Sequence, residues 1–207
     1  MKVMLVNGSS RRNGCTGTAL RYIADTLAQH GIETETVWIG NAPLPDCTAC
    51  GKCRELGHCV FGDIADEVGR RAAEFDGFIF GCPVYYAHPS ARLLAVMDRA
   101  FYSNGKNFAF KPAAAISSAR RNGQVATMDV INKHFSISQM PIVSSNYWNH
   151  IFAAEPEEVV QDEEGVQTMI NLAANMAWLL KCIELGKQNG LHHPQPEEVR
   201  YSTNFIR

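Results

Sequence analysis

Short apolar runs and amphipathic stretches alternate along the whole chain. Most of the apolar runs are continuous, which is typical of strands buried on both faces of a parallel sheet. The stretches between them carry apolar residues at helical spacing. This βαβα order predicts one α/β domain with helices covering both faces of the sheet. The predicted strands are Val3–Val6, Ile32–Ile39, Gly77–Cys82, Ala113–Ser118 and Pro141–Ser145, and the predicted helices are Thr16–His30, Asp63–Phe75, Ser90–Tyr102, Gln124–Phe135 and Glu163–Lys187.

Five strands in a chain of 207 residues favour the flavodoxin-like strand order 2-1-3-4-5. Ligands of such sheets bind beyond the carboxyl ends of the strands, where the strand order reverses. We therefore expect a three-layer flavodoxin-like domain over residues 1–190, with a cysteine-rich loop at residues 41–62 after the second strand. Residues 191–207 contain Pro194 and Pro196 and are expected to form a C-terminal tail without a helix.

Composition narrows the classes of partner. The net charge of −2 provides no basic surface, so a nucleic-acid partner is not expected. No apolar run is long enough to cross a bilayer, so no membrane partner is expected either. The first residues lead directly into a predicted strand and do not resemble a signal peptide. We expect a cytoplasmic protein, in which cysteines stay reduced and clustered thiols indicate metal or redox chemistry.

Four of the seven cysteines, Cys47, Cys50, Cys53 and Cys59, lie within thirteen residues. Each short C-x-x-C spacing lets two sulfurs reach neighbouring corners of one cluster, so the run favours a 4Fe–4S cluster. Structural zinc usually takes two separate C-x-x-C pairs about fifteen residues apart. Structural thiols without metal, a zinc site and a redox disulfide remain open as alternatives.

Three loops that follow predicted strands are suited to a flavin. The segment from Gly8 to Thr18 is rich in glycines and hydroxyls and opens a helix, which predicts a phosphate site. It matches neither G-x-G-x-x-G nor the Walker A pattern, so a dinucleotide fold and an NTPase are not favoured. The third strand ends in Tyr85 and Tyr86, whose flat faces suit an isoalloxazine ring, and the fourth ends in a polar turn at residues 117–123.

Several motifs together resemble the NADPH-dependent FMN reductase family of flavodoxin-like proteins, and the cysteine run resembles the iron–sulfur flavoprotein branch of that family. The resemblance covers residues 1 to about 187. Ser10 and Gly62 depart from the pattern, since relatives often have proline and an acidic residue there. The motifs are Gly8-Ser-Ser-Arg-Arg-Asn-Gly14, Pro83-Val-Tyr-Tyr86, Met97-Asp-Arg99, Ser118-Ala-Arg-Arg121, Tyr147-Trp-Asn149 and Asp162-Glu-Glu-Gly165.

This resemblance implies a non-covalently bound FMN. It places the FMN phosphate on the loop after the first strand, the ring on the loop after the third, and the closing contacts on the loop after the fourth. The implied residues are Ser9, Arg11, Asn13, Cys15 and Thr16 for the phosphate, Pro83, Val84, Tyr85 and Tyr86 for the ring, and Ser118, Arg120 and Gly123 for the closing loop.

The expected function is that of an FMN-dependent oxidoreductase in which FMN is coupled to a 4Fe–4S cluster. Its electron donor would be NAD(P)H or a low-potential, ferredoxin-type partner, and no side chain is nominated as a catalytic acid or base. One alternative is an NAD(P)H-dependent FMN or quinone reductase with structural cysteines. A second is a regulatory module that binds FMN without turnover. The resemblance also implies a homodimer or homotetramer.

Overall fold

The computed structural model describes residues 1–194 and residue 203. Five strands form a parallel sheet of order β2-β1-β3-β5-β6, and a two-residue strand, β4, pairs antiparallel with β3. With β4 set aside, this is the predicted order 2-1-3-4-5, and the flavodoxin-like fold is confirmed. The strands are β1 (Lys2–Asn7), β2 (Glu33–Trp38), β3 (Gly77–Tyr85), β4 (His88–Pro89), β5 (Ala113–Ala119) and β6 (His150–Phe152).

Helices cover both faces of the sheet, which gives three layers. The helices are α1 (Cys15–Gln29), α2 (Cys53–Leu56), α3 (Ile64–Arg71), α4 (Ala91–Asn104), α5 (Gln124–Ile137) and α6 (Glu163–Gln188), with 3-10 turns at Ala72–Glu74, Gly105–Asn107 and Pro156–Gln161. The predicted N-cap is confirmed, because the Asp63 carboxylate accepts a hydrogen bond from the Ala65 amide at 3.1 Å. None of the helices in the described part of the chain is long and apolar enough to cross a membrane.

Alternating residues of the central strands build two separate cores. On β1, Met4 packs into the core beneath α3, α4 and α5, while Leu5 packs into the core beneath α1 and α6. On β3, Phe80 packs into the same core as Met4, and Ile79 packs into the same core as Leu5. Because side chains alternate across a strand, a strand buried on both faces needs apolar residues at every position, as the sequence pattern indicated.

The prediction of a regular fifth strand at Pro141–Ser145 is wrong. Only its first half lies beside β5, where the Ala113 amide donates to the Pro141 carbonyl at 2.9 Å and the Val143 amide to the Ala113 carbonyl at 2.8 Å. The chain then leaves the sheet and returns as β6. The Asn149 side chain spans the gap, because its Nδ2 donates to the Ala115 carbonyl at 3.2 Å and to the Val143 carbonyl at 3.4 Å. The fifth strand is therefore interrupted, and residues 144–148 loop out from it.

A tight hairpin turn ends β3. Val84 pairs with Pro89 and Tyr85 with His88, so Tyr86 and Ala87 form the two-residue turn. Both have positive φ, 54° and 56°, a conformation that costs about 1–2 kcal/mol per non-glycine residue. The expected tail, residues 191–207, lies outside the described residues except for 191–194 and 203.

Candidate functional site

The loop between β1 and α1 is shaped by its own hydrogen bonds. The Ser9 amide donates to Asn7 Oδ1 at 3.0 Å, and the Arg11 amide donates to Ser9 Oγ at 3.1 Å. At the far side, Asn7 Nδ2 donates to the Arg12 carbonyl at 2.9 Å. Helix α1 then begins at Cys15, after the N-cap residue Gly14, with no side-chain cap and no acidic residue in its first turn. Its first amides and positive dipole end are therefore free to hold an anion.

Close backbone approach keeps this loop tight. A Cβ atom added to Gly17, in the first turn of α1, would lie 2.4 Å from the Arg12 carbonyl oxygen. A Cβ atom added to Gly81, on β3, would lie 2.8 Å from Thr16 Cγ2. Both positions need glycine because the helix start, the loop and the sheet leave no room for a methyl group.

The loops after β1 and β5 meet directly. Thr16 Oγ1 and Ser118 Oγ share a hydrogen bond of 2.8 Å, and both residues are buried. Burial raises the pKa of the Cys15 thiol, which therefore stays neutral beside the helix start. The exposed Arg11 side chain lies 3.3 Å from Glu155 and can turn toward an anion in the loop.

The other predicted flavin residues lie at the same edge of the sheet. A Cβ atom added to Gly123, which has φ of 97°, would lie 2.8 Å from Val84 Cγ1, so the turns after β3 and β5 pack against each other. Tyr85 is half-exposed and Tyr86 is fully exposed. Pro83 is partly buried, and Asn13 and Arg120 are exposed, with no contact in the structure that fixes their side chains.

A cleft of about 430 Å³ opens beside these loops, beyond the carboxyl ends of β5 and β6. Gly123 is the one predicted flavin residue that lines it. Aromatic side chains from the interrupted fifth strand form much of its wall. Gln124 Nε2 and His150 Nδ1 are buried there, and within residues 1–194 and 203 neither has a hydrogen-bond partner. The nearby Asp162 and Glu164 carboxylates raise the pKa of His150, but burial lowers it by more. The net pKa lies below its ordinary value, so the imidazole is neutral at pH 7.

A larger cavity of about 700 Å³ lies at the opposite edge of the sheet. Met1, Asp76 and Pro112 line it, and each directly precedes a parallel strand. Ligand sites of doubly wound sheets lie at the carboxyl edge, so this cavity is distinct from the candidate flavin site.

The four clustered cysteines all border one small cavity of about 20 Å³ against α4. Cys47 and Cys50 are exposed, while Cys53 and Cys59 are half-buried. The backbone turns sharply around them, with positive φ at Ala49, Gly51, Gly57 and Gly62. All seven cysteines of the chain are free thiols in the structure.

Cys59 is the most firmly held of the four. Its amide donates to Asp66 Oδ1 at 2.9 Å, and Asp66 is a buried residue of α3. Its sulfur accepts hydrogen bonds from Arg99 Nε and Nη2, each at 3.3 Å. Arg99 also forms a two-pronged ion pair with Asp63, at 2.8 and 2.7 Å. Burial alone would raise the Asp63 pKa, but these contacts with Arg99 bring it below its ordinary value.

Within residues 1–194 and 203, no three His, Cys, Asp or Glu side chains are placed to hold a single metal ion. The four thiols therefore share a cavity without converging on one point. A zinc ion requires all four sulfurs within bonding distance of one atom, at about 2.3 Å. An iron–sulfur cube binds each thiolate at a different iron, so it requires sulfurs that are farther apart.

Comparison with known proteins identifies the family. The model of the NADPH-dependent FMN reductase family matches residues 1–155. The chain belongs to this family. It is 32% identical over 195 residues to an iron–sulfur flavoprotein of Methanocaldococcus jannaschii, covering 89% of this chain and 100% of that one. An iron–sulfur flavoprotein of Methanosarcina thermophila is 30% identical over 188 residues, covering 89% and 97%.

Solved structures confirm the fold of this FMN reductase family member. A flavodoxin from the domain Archaea superimposes with a TM-score of 0.60 at 15% identity, covering 87% of this chain and 99% of that one. The expected membership of the family, in its iron–sulfur flavoprotein branch, is confirmed, and so is the expectation of an FMN-dependent oxidoreductase.

The residues present fit FMN. The uncapped start of α1 supplies free amides for a phosphate, and the glycine contacts at Gly17 and Gly81 keep the loop small. The turns around Val84 and Gly123 pack against each other, and the half-exposed Tyr85 offers a flat side chain for a ring. A phosphate needs converging donors and a ring needs a flat wall, and both lie at the carboxyl edge of the sheet.

Two residues in the site have roles that the sequence analysis did not assign. Arg99 appeared only within a family motif, yet it is the largest fully buried side chain among the described residues. An arginine among the apolar residues Val96, Met97 and Ala100 of one helix is an available signal for a buried charge contact. The side-chain bridge made by Asn149 had no sequence signal, because it depends on where the chain re-enters the sheet.

Proposed function

We propose that this FMN-dependent oxidoreductase holds a 4Fe–4S cluster on Cys47, Cys50, Cys53 and Cys59 and uses it to exchange single electrons. FMN accepts one or two electrons, whereas such a cluster accepts one at a time. The observation that carries the proposal is the single cavity bordered by all four thiols and by Arg99. The names of the two archaeal relatives support the same reading.

The chain's own residues would divide the work between two places. The β1–α1 loop binds the FMN phosphate through its free amides, and the turns after β3 and β5 orient the ring. The cysteine loop lies elsewhere, because Arg99 is eight residues beyond the start of α4 at Ala91. That separation is about 12 Å along the helix at 1.5 Å per residue. The Cys59 sulfur, 3.3 Å from Arg99, therefore lies beside the second half of α4.

This placement favours electron exchange between chains. Three apolar or aromatic residues that line the cysteine cavity are exposed, Val60 by 41%, Phe61 by 42% and Tyr102 by 56%, and Leu56 of the same loop is 52% exposed. Exposed apolar patches mark sites of protein association. A second copy of this chain, in a homodimer or homotetramer, would bury these side chains and bring its own flavin edge near the thiols, and a ferredoxin-type donor would bind there by the same chemistry. A soluble location in the cytoplasm, with reduced thiols, is part of this proposal.

The test compares Cys50→Ser with Cys182→Ser as a matched control, since Cys182 is an exposed cysteine of α6 far from the run. After anaerobic reconstitution, C50S should keep FMN, lose iron, and accept electrons from a reduced ferredoxin much more slowly than C182S. FMN reduction by NADPH should be the same in both variants. Equal rates with reduced ferredoxin in the two variants would show that no cluster on these cysteines carries the electrons.

The second candidate is a plain NAD(P)H-dependent FMN or quinone reductase with structural cysteines. The cleft of about 430 Å³ favours it, because that cleft has room for a small aromatic substrate and offers unpaired polar atoms on Gln124 and His150. It predicts rapid FMN reduction by NADPH alone, followed by quinone reduction, at rates that C50S leaves unchanged. Family membership argues against the third alternative, a regulatory module without turnover.

A further inference from the structure

All five N–H groups of the Arg99 guanidinium are used, and every partner belongs to the cysteine loop or the start of α3. Nε and one Nη2 hydrogen are directed at Cys59 Sγ, at 3.3 Å each. Nη1 donates to the Pro45 carbonyl at 3.2 Å and to Asp63 Oδ2 at 2.8 Å, and the remaining Nη2 hydrogen reaches Asp63 Oδ1 at 2.7 Å. The Phe61 ring covers the group at 4.6 Å. Arg99 therefore joins both ends of the loop to α4.

The burial of this charge requires compensation. The Arg99 side chain is only 1% exposed, and a buried charge without a partner is strongly destabilising. Asp63 supplies one negative charge. Two donors directed at one sulfur suit an anionic thiolate, because a neutral thiol is a weak acceptor that presents its own hydrogen. The two N–H···S contacts thus suit a Cys59 sulfur that is a ligand of a cluster.

The shape of the contact selects arginine. A planar fork can contact a carboxylate on one edge and a sulfur on another, whereas a lysine ammonium is a compact charge that cannot hold both in fixed directions. Arg92, seven residues earlier on α4, provides a useful contrast. Its guanidinium donates to the Asn41 and Ala42 carbonyls at the start of the same loop, and no contact joins it to a sulfur. Arg92 therefore anchors the loop through backbone carbonyls, whereas Arg99 both anchors the loop and contacts a thiol.

We propose that Arg99 is a positioning residue for the cluster, which fixes Cys59 and raises the reduction potential of the cluster through its charge and two N–H···S hydrogen bonds. This inference rests on the proposed function. Reduction adds negative charge, so a neighbouring cation and hydrogen bonds to sulfur stabilise the reduced form more than the oxidised form. Arg99 is expected to touch neither substrate nor FMN.

The experiment compares wild type, Arg99→Gln, Arg99→Lys and the control Arg92→Gln after anaerobic reconstitution of the full chain. The readouts are iron retained per chain and the cluster midpoint potential from a mediated redox titration, with bound FMN as the check on folding. R99Q should shift the potential in the negative direction by at least a tenfold change in the one-electron equilibrium constant, which is about 59 mV. It should also lose iron faster than R92Q. R99K should lose iron as R99Q does but shift the potential less, because it keeps the charge.

Each outcome decides one claim. Iron retention and potential in R99Q that equal those of R92Q would overturn the role of Arg99 while leaving the proposed function intact. A wild-type chain that binds FMN but no iron would overturn the proposed function, and the role of Arg99 with it. If R99Q fails to bind FMN, the double variant Arg99→Gln/Asp63→Asn removes the buried charge pair as a whole, and its comparison with R92Q decides in the same way.

Discussion

Replacing Gly17 with alanine tests the phosphate loop directly. The new methyl group would lie 2.4 Å from the Arg12 carbonyl oxygen and 3.2 Å from Asn7 Nδ2. That carbonyl accepts the Asn7 side-chain hydrogen bond, so the loop must move and the bond must break. Overpacking costs ~1–3 kcal/mol and an orphaned buried polar group costs ~1–3 kcal/mol. The helix propensity of alanine returns ~1 kcal/mol. Taken at their midpoints, these contributions give a net loss of about 3 kcal/mol in the free energy of unfolding.

The same displacement should weaken FMN binding, because the loop is the phosphate site. A loss of about 2 kcal/mol in binding free energy corresponds to a roughly 30-fold higher Kd. Flavin fluorescence titration of the apoprotein measures the Kd, and urea unfolding measures stability. Gly186→Ala is the control, since its methyl group would lie 3.6 Å from Leu191, in ordinary contact on α6. G186A should leave the Kd unchanged. A wild-type Kd in G17A would refute the assignment of this loop to the phosphate.

Three further predictions concern the scaffold. Hydrogen bonds from Lys2 and Arg71 lower the pKa of Glu35 from its ordinary value of 4.5. These ion pairs therefore stabilise the fold fully at pH values above 4.5, and that stability is lost as the pH falls through the lowered pKa. Glu35→Gln should make the free energy of unfolding, measured with urea, depend less on pH in this acidic range. Ala87→Gly should raise the free energy of unfolding by up to ~1 kcal/mol, because glycine accepts positive φ without strain. The urea midpoint should rise accordingly, and a lower midpoint would contradict the turn geometry. Asn149→Ala should cost about 1–3 kcal/mol and alter tryptophan fluorescence by loosening the loop that carries Trp148, and an unchanged spectrum and stability would count against the side-chain bridge.

The layered fold could be predicted from the sequence because its strands are buried on both faces. Continuous apolar runs such as Ala113–Ile116 have no other common interpretation when helices separate them. The fifth strand could not be predicted in the same way. Pro141–Ser145 has strand-forming residues, but whether they pair is decided by contacts with β5, which are distant in sequence. The short strand His150–Phe152 has no local pattern that distinguishes it from a loop.

The site divides along a similar line. Residues that act through the backbone, such as the glycines around Thr16, could be located because a glycine-rich turn between strand and helix has one common use. The cysteine run could be recognised from spacing alone. The residue that anchors that loop, Arg99, could not be recognised from the sequence. It lies about 40 residues beyond Cys59 in the chain and contacts it only after α3 and α4 pack together. Side-chain contacts of this kind are set by tertiary structure.

The central claim is that one chain carries both FMN and an iron–sulfur cluster. The most direct measurement is the iron, acid-labile sulfide and FMN content of the full chain after anaerobic reconstitution, with Cys50→Ser treated in parallel. The account predicts about four iron and four sulfide for each FMN in wild type, as a 4Fe–4S cluster requires, and FMN without iron in the variant. Stoichiometric FMN with no iron in the wild-type chain would contradict it.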